Sequence, residues 1–180
     1  MKPLRIALIG QMRSGKDTVA EYLVENHGFN RLAFGDKLKQ FANEIFMDAP
    51  YEPKPRSLYQ FMNIMRDYDE DVWVKHLEVD YLENKLYEEN VVITDVRQEN
   101  ELEWCLEQNY KIIRVFSRLE NRVDRMESSG EKAEEELLQH ATENKLDSIE
   151  PHYTIINNGT IDDLKIRIDE VVEKIREETK

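Results

Sequence analysis

Leu4-Arg5-Ile6-Ala7-Leu8-Ile9-Gly10-Gln11-Met12-Arg13-Ser14-Gly15-Lys16-Asp17-Thr18 decides how the rest of the chain is read. An apolar run long enough for one buried strand delivers the backbone to Gly10. Gly15 then lets the main chain approach an anion with no side chain between them. Lys16 follows at the spacing that sets an ammonium over phosphates, and the helix predicted to begin here offers its unbonded N–H groups and positive end to the same oxygens. The stretch is a phosphate-binding loop for a nucleoside triphosphate, with Gly10, Met12, Arg13, Ser14, Gly15, Lys16, Asp17 and Thr18 as its candidate contacts. Asp17 stands where a Ser or Thr hydroxyl ordinarily reaches magnesium. Either its carboxylate takes that role, directly or through water, or Thr18 offers its hydroxyl to the phosphates instead.

The spacing Gly-x4-Gly-Lys recurs by chance in roughly one chain in twenty of this length. Order is what separates this case from a glycine-bearing surface turn: a strand precedes the loop, and an amphipathic helix with Val19, Ala20, Leu23 and Val24 follows it to Gly28. Further units succeed one another in the same rhythm. Arg31 to Phe34 reads as a second strand, and Asp36 as the cap of a helix carrying Leu38, Phe41, Ala42, Ile45 and Phe46. The prolines between 49 and 55 break the chain, and helical segments follow over about 58–65 and 71–87, the second with Val72, Trp73, Leu77, Val79, Leu82 and Leu86 inward. Apolar runs at 91–94 and 112–116 read as strands covered on both faces. A helix lies between them, a charged helical stretch spans about 119–145 with an interruption at 128–130, and Tyr153 to Ile156 is a fifth strand. Thr160 caps a last helix with Ile161, Leu164, Ile168, Val171 and Ile175 at helical spacing. Alternation of this kind predicts an α/β fold, a three-layer doubly wound sheet of five parallel strands, with ligands at the strands' carboxyl ends.

Composition narrows the function. The 180 residues suffice for one domain over the whole chain, 1–180. A formal charge of −13 argues against nucleic-acid and anionic-membrane partners, so any anion site is a local basic pocket. No apolar run approaches a membrane span, and the first residues lack the pattern of a secretory signal. Cys105 is the single cysteine, between Trp104 and Leu106, which excludes disulfides and thiolate zinc sites and reads as a buried helix residue. The expected compartment is the cytoplasm.

Outside the loop, Asp95 closes the third strand and Arg97 follows two residues on. Such a pair either holds magnesium through water and clamps a second phosphate, or caps the next helix with Arg97 paired to Glu99 or Glu101. Arg118, Arg122 and Arg125 fall at helical spacing on one face. They form either a solvated surface or a lid that closes on a transferring phosphoryl group. Lys37, Lys39 and Arg66 share the segment 35–88 with Tyr59, Gln60, Asn63 and Trp73, residue types suited to an acceptor with a phosphate and an aromatic base. His140 and Glu143 sit one helical turn apart and fit a surface contact as well as a site. Asn144-Lys145-Leu146-Asp147 matches a guanine-reading tetrapeptide, but it follows a charged helical stretch instead of a strand, and the match is a coincidence.

Taken together, the loop from Gly10 to Ala20, the runs Ala33 to Lys39 and Ile93 to Arg97, His140-Ala141-Thr142-Glu143 and Ile156 to Thr160 resemble the phosphate-loop nucleoside monophosphate kinases. They are most similar to the phage and bacterial deoxynucleoside monophosphate kinase family, which shares Gly-Lys-Asp-Thr. The resemblance spans nearly the whole chain. It implies an adenylate-kinase-like fold, ATP and Mg2+ as co-substrate and cofactor, and γ-phosphoryl transfer to a small-molecule (deoxy)nucleoside monophosphate by a monomer or homodimer. It further implies that Lys16 and the loop amides bind ATP and that Asp17 and Asp95 serve magnesium. Arg97, Arg66, Lys37 and Trp73 would bind the acceptor, Arg118 and Arg122 would close from a lid over about 117–145, and Asn157 would lie near the adenine. Gly35 and Gln98 depart from the family pattern, which leaves the acceptor's identity open. Dephospho-coenzyme A and phosphomevalonate kinases use the same fold, and a nucleotide-binding regulatory module is the reading from another class.

Overall fold

Alternation along each strand sorts the core into two layers. In the computed structural model, which describes residues 2–50, 55–129 and 149–179, the strands are β1 (Arg5–Ile9), β2 (Asn30–Leu32), β3 (Val91–Ile93), β4 (Lys111–Phe116) and β5 (Tyr153–Ile156). They form one parallel sheet in the order β2-β3-β1-β4-β5. Ile6, Leu8, Val92, Ile113, Val115 and Ile155 face one side, against α1 (Lys16–His27) and α7 (Ile161–Thr179). Ala7, Ile9, Val91, Ile93 and Ile112 face the other, against α2 (Phe34–Ile45), α4 (Val72–Glu83) and α5 (Glu99–Glu107). Successive strand residues point to opposite faces, so runs that are apolar throughout are what a sheet covered on both sides requires. The expected three-layer α/β sheet of five parallel strands is the observed one.

Among the described residues the remaining helices are α3 (Arg56–Met62), continued by a 3-10 turn over Asn63–Asp67, a short 3-10 turn over Leu86–Glu88, and α6 (Leu119–Ser128). Three expectations change. Phe34 opens a helix instead of closing a strand, and Asp36 lies inside the first turn of α2. The residue ahead of that helix, Ala33, has no side chain able to cap it, and Asp95 from the end of β3 does so instead. On α4 the inward face is Trp73, Val74, Leu77 and Tyr81, while Val79 and Leu82 are about half exposed. Sequence periodicity over 71–87 was blurred by apolar residues on both faces of α4, and contact with α2 and α5 chose between them. Thr160 does cap α7, through reciprocal bonds with Asp163, and Cys105 is buried.

Register sets the level of each loop at the sheet's carboxyl edge. Ala7 pairs with Ile93, and Leu32 with Ile93. Continuing two residues brings Ile9, Asp95 and Phe34 to one height, so the loops after β1 and β3 open side by side where β1 separates β3 from β4. This is the position at which open α/β sheets bind ligands. Among the described residues no helix is long and apolar enough to cross a membrane. Replacing Ile6, fully buried on the central strand, by Ala is expected to cost about 2–5 kcal/mol of stability, measured by urea unfolding.

Candidate active site

Every carbonyl of the loop from Gly10 to Ser14 accepts a hydrogen bond from a side chain. Lys16 Nζ donates to Gly10 O at 2.6 Å and Gln11 O at 3.0 Å. Arg122 Nε donates to Met12 O at 2.8 Å, and its NH1 to Gln11 Oε1. Arg125 NH1 reaches Arg13 O at 3.1 Å and Ser14 O at 3.4 Å, and Asn157 Nδ2 reaches Ser14 O at 2.9 Å. With the carbonyls tied and Ser14 N donating to Gln11 O at 3.2 Å, the amides at the N-terminus of the 12-residue α1, which carries no side-chain cap, are offered to an anion. The chain fits a nucleotide's phosphates here on its own geometry. Gly10 has φ 143°, and a Cβ there would lie 2.3 Å from Val115 O. Gly15 has φ 102°, and a Cβ there would lie 2.2 Å from Asn157 Nδ2. No other residue meets both demands.

Lys16 is largely buried among charges. Desolvation, then the nearby Arg97 and later Arg122, lower its ammonium to about 8, while Asp17 and Asp95 oppose them. An anion placed among three cations relieves that repulsion. Asp17 is exposed at the first turn of α1. Asp95 accepts from Phe34 N at 2.8 Å through Oδ1 and from Gly35 N at 2.9 Å through Oδ2. Each oxygen keeps a second lone pair, and two hard carboxylates beside phosphate oxygens are the donor set that magnesium accepts. Gly35, one of the two departures from the family pattern, is where a Cβ would approach Asp95 Oδ2 to 3.0 Å.

Beyond Asp95 the chain enters α5 through a capping box. Glu101 Oε2 accepts from Arg97 N at 2.7 Å and Gln98 N at 3.0 Å, and its Oε1 accepts from Arg66 NH2 at 2.6 Å. Burial pushes the Glu101 carboxyl upward, and these bonds pull against it. Glu101 was visible in the sequence only as a partner for the Arg97 side chain; it binds the Arg97 backbone instead. The exposed Arg97 guanidinium makes no ion pair among the described residues.

Several expected residues stand elsewhere. Trp73 is 1 % exposed in the core, edged by Phe41 and His76, and is not presented for stacking. Lys37 leans on Asp80 of α4 at 3.6 Å, whereas Lys39 lies over the start of α2 near Gly35. Arg122, 2 % exposed, is built into the floor of the loop instead of waiting on a lid. Asn157 holds the loop from behind, and its neighbour Asn158 accepts from Arg118 N at 2.8 Å. Arg118 is exposed at the start of α6. Residues 130–148, with His140, Glu143, the tetrapeptide at 144–147 and the rest of the expected lid, lie outside the described residues.

Lys16 must carry its proton to hold phosphate. A free-site value near 8 means that ATP affinity is steady at neutral pH and falls as pH rises through about 8 to 9. Fluorescent-ATP titration should show this fall. Lys16→Met should bind about 10–100-fold more weakly and lose the pH dependence over that window.

Comparison with known proteins agrees with this geometry. A family model described as an AAA domain matches residues 6–149. A protein of Acanthamoeba polyphaga mimivirus, provisionally named a deoxynucleotide monophosphate kinase, is 25 % identical over 91 % of this chain and 93 % of its own length. Among solved structures, a Thermus thermophilus protein superposes with a TM-score of 0.64 at 22 % identity, over 97 % of this chain and 98 % of the other. A gluconokinase from Sinorhizobium meliloti gives 0.60 at 15 % over 99 % of both chains, and a shikimate kinase from Acinetobacter baumannii 0.57 at 16 % over 98 % and 96 %. The phosphate loop, the parallel sheet and the family match converge: the chain belongs to the AAA domain family.

Proposed function

We propose that the chain transfers the γ-phosphoryl group of ATP to a (deoxy)nucleoside monophosphate, giving ADP and the corresponding diphosphate. The observation that carries this reading is a buried carboxylate, Glu101, that holds the Arg66 guanidinium with one oxygen and the Arg97 backbone with the other. Arg66 is held on Glu101, and Arg97 emerges from the same turn close enough to Lys16 to lower its pKa. A module that only bound ATP would have no use for a second group of cations. An acceptor that itself bears a phosphate would. The mimivirus relative's name supports the nucleotide as acceptor.

The chemistry follows from charge and position. Lys16 and the loop amides hold the triphosphate, and Arg97 with Arg66 orients the acceptor's phosphate for in-line attack. The attacking oxygen is already ionised at neutral pH, so the chain supplies no general base. Arg118, exposed at the start of α6, is the cation this reading assigns to charge that spreads over the transferring group. Asp17 and Asp95 are the residues that would hold magnesium, which would supply neutralising charge to the phosphates. Arg122 and Arg125 keep the loop's carbonyls turned away throughout.

The deciding experiment measures ADP formation from ATP and magnesium with each common ribo- and deoxynucleoside monophosphate, and with dephospho-coenzyme A and phosphomevalonate in parallel. Stimulation by one or a few nucleotides to about 1–100 per second supports the proposal. Stimulation only by one of the other two acceptors, or by none, overturns it. With the acceptor in hand, Arg97→Ala is expected to lower kcat/KM for that acceptor by about 100–1,000-fold while ATP affinity changes by less than about threefold.

A further inference from the structure

We infer that Glu101 is the positioning residue of the acceptor site, a buried carboxylate that fixes Arg66 and the Arg97 turn against each other. The inference rests on the proposed role of those arginines and deepens it. Arg66 belongs to the 3-10 turn after α3, Arg97 to the turn after β3, and 30 residues of chain separate them. Glu101, 2 % exposed, joins the two with its two oxygens. Oε1 takes the Arg66 guanidinium at 2.6 Å, and Oε2 takes the Arg97 and Gln98 amides at 2.7 and 3.0 Å.

The residue type supports a role beyond capping. A capping box needs only an acceptor, and glutamine serves it as well as glutamate. Burying a carboxylate there is costly unless its charge is matched, and the matching charge is Arg66. Arg66 is in turn fixed along its length. Nε donates to Asn63 Oδ1 at 2.9 Å and NH1 to Glu70 O at 3.4 Å. Three of a guanidinium's five N–H donors are thus engaged, and two are left for a ligand. Asn100 adds a second tie between the same segments, from Nδ2 to Glu70 O at 3.0 Å and Asp71 Oδ1 at 2.9 Å. The sequence thereby presets one cation, Arg66, and the backbone turn from which Arg97 projects, with the ordering entropy met in folding instead of in binding.

Glu101→Gln separates the two roles, because the amide oxygen can still accept from Arg97 N and Gln98 N while the charge on Arg66 goes unmatched. Steady-state kinetics with dAMP, dCMP, dGMP and dTMP, each in turn, should show the acceptor KM raised by at least about tenfold and the ATP KM changed by less than twofold. Arg66→Met should raise the acceptor KM comparably, and the double variant should be no worse than Arg66→Met within about twofold, since Glu101 acts through Arg66. If Glu101→Gln is too unstable to assay, Glu101→Asp, which keeps the charge but is one methylene shorter, takes its place with the same expectation. An acceptor KM within twofold of the parent, or equal rises in both KM values, overturns the inference. Hydrogen exchange gives a readout that needs no activity: amides at 63–71 should exchange about tenfold faster in Glu101→Gln. If the parent accepts no monophosphate, the proposed function fails, and unchanged exchange at 63–71 is then what overturns the tie between the two segments.

Discussion

The site depends on where the loop's carbonyl oxygens point. A short loop wrapped around phosphates has amide and carbonyl groups competing for the same space, and a carbonyl turned inward would repel the anion. Here five consecutive carbonyls are each held by a cationic or amide donor: Lys16, Arg122, Arg125 and Asn157. Those donors come from α1, α6 and the end of β5. Because α6 and β5 must sit at fixed distances from the loop for these bonds to form, the packing of the sheet and the preorganisation of the loop are one constraint. The close approach of Gly10 to Val115 O is its steric counterpart.

A second consequence is electrostatic. The chain is strongly acidic overall, yet Lys16 stands close enough to Arg97 and Arg122 for its proton to be loosened. Mutual repulsion of this kind is tolerated only because the surrounding fold holds the groups, and it is released when an anion arrives. Asp95 links this basic pocket to the acceptor side. By accepting from Phe34 N and Gly35 N it anchors the start of α2 to the end of β3. The carboxylate proposed to serve magnesium is therefore also a helix cap, and the choice between those roles that the sequence posed does not arise in the form expected: the helix it caps is α2, not the one that follows it.

The instructive differences lie in side chains whose partners are distant in sequence. Arg118, Arg122 and Arg125 are legible as one cationic face of a helix, but the sequence does not show that Arg122 and Arg125 face the loop, because the loop carbonyls they meet are more than 100 residues away. Asp36 carries the residue type of a cap and is bypassed by Asp95, which reaches across from another strand. Trp73 has the right chemistry for stacking on a base, and the core between α2 and α4 claims it first. Lys37 and Lys39 are two residues apart on α2 and so leave the helix in different directions; Lys39 lies near the start of α2 while Lys37 pairs with Asp80. Glu101 reads in the sequence as one of two partners for Arg97, although Gln98 three residues before it carries the spacing of a capping box.

By itself the sequence determined the phosphate loop, the order of strands and helices, and the two-sided burial of the sheet. These follow from local constraints: glycine at required backbone angles, apolar period, and residues that start or stop helices. Only the tertiary structure decided which cations serve the ligand and which serve the fold. That choice depends on which backbone carbonyl or carboxylate lies within hydrogen-bond reach, a matter of register and helix placement that no local pattern encodes. Arg122 and Arg125 became struts, Arg66 was locked on a buried glutamate, and Arg97 was left exposed beside Lys16 because the sheet brings the ends of β1, β3, β4 and β5 to one edge.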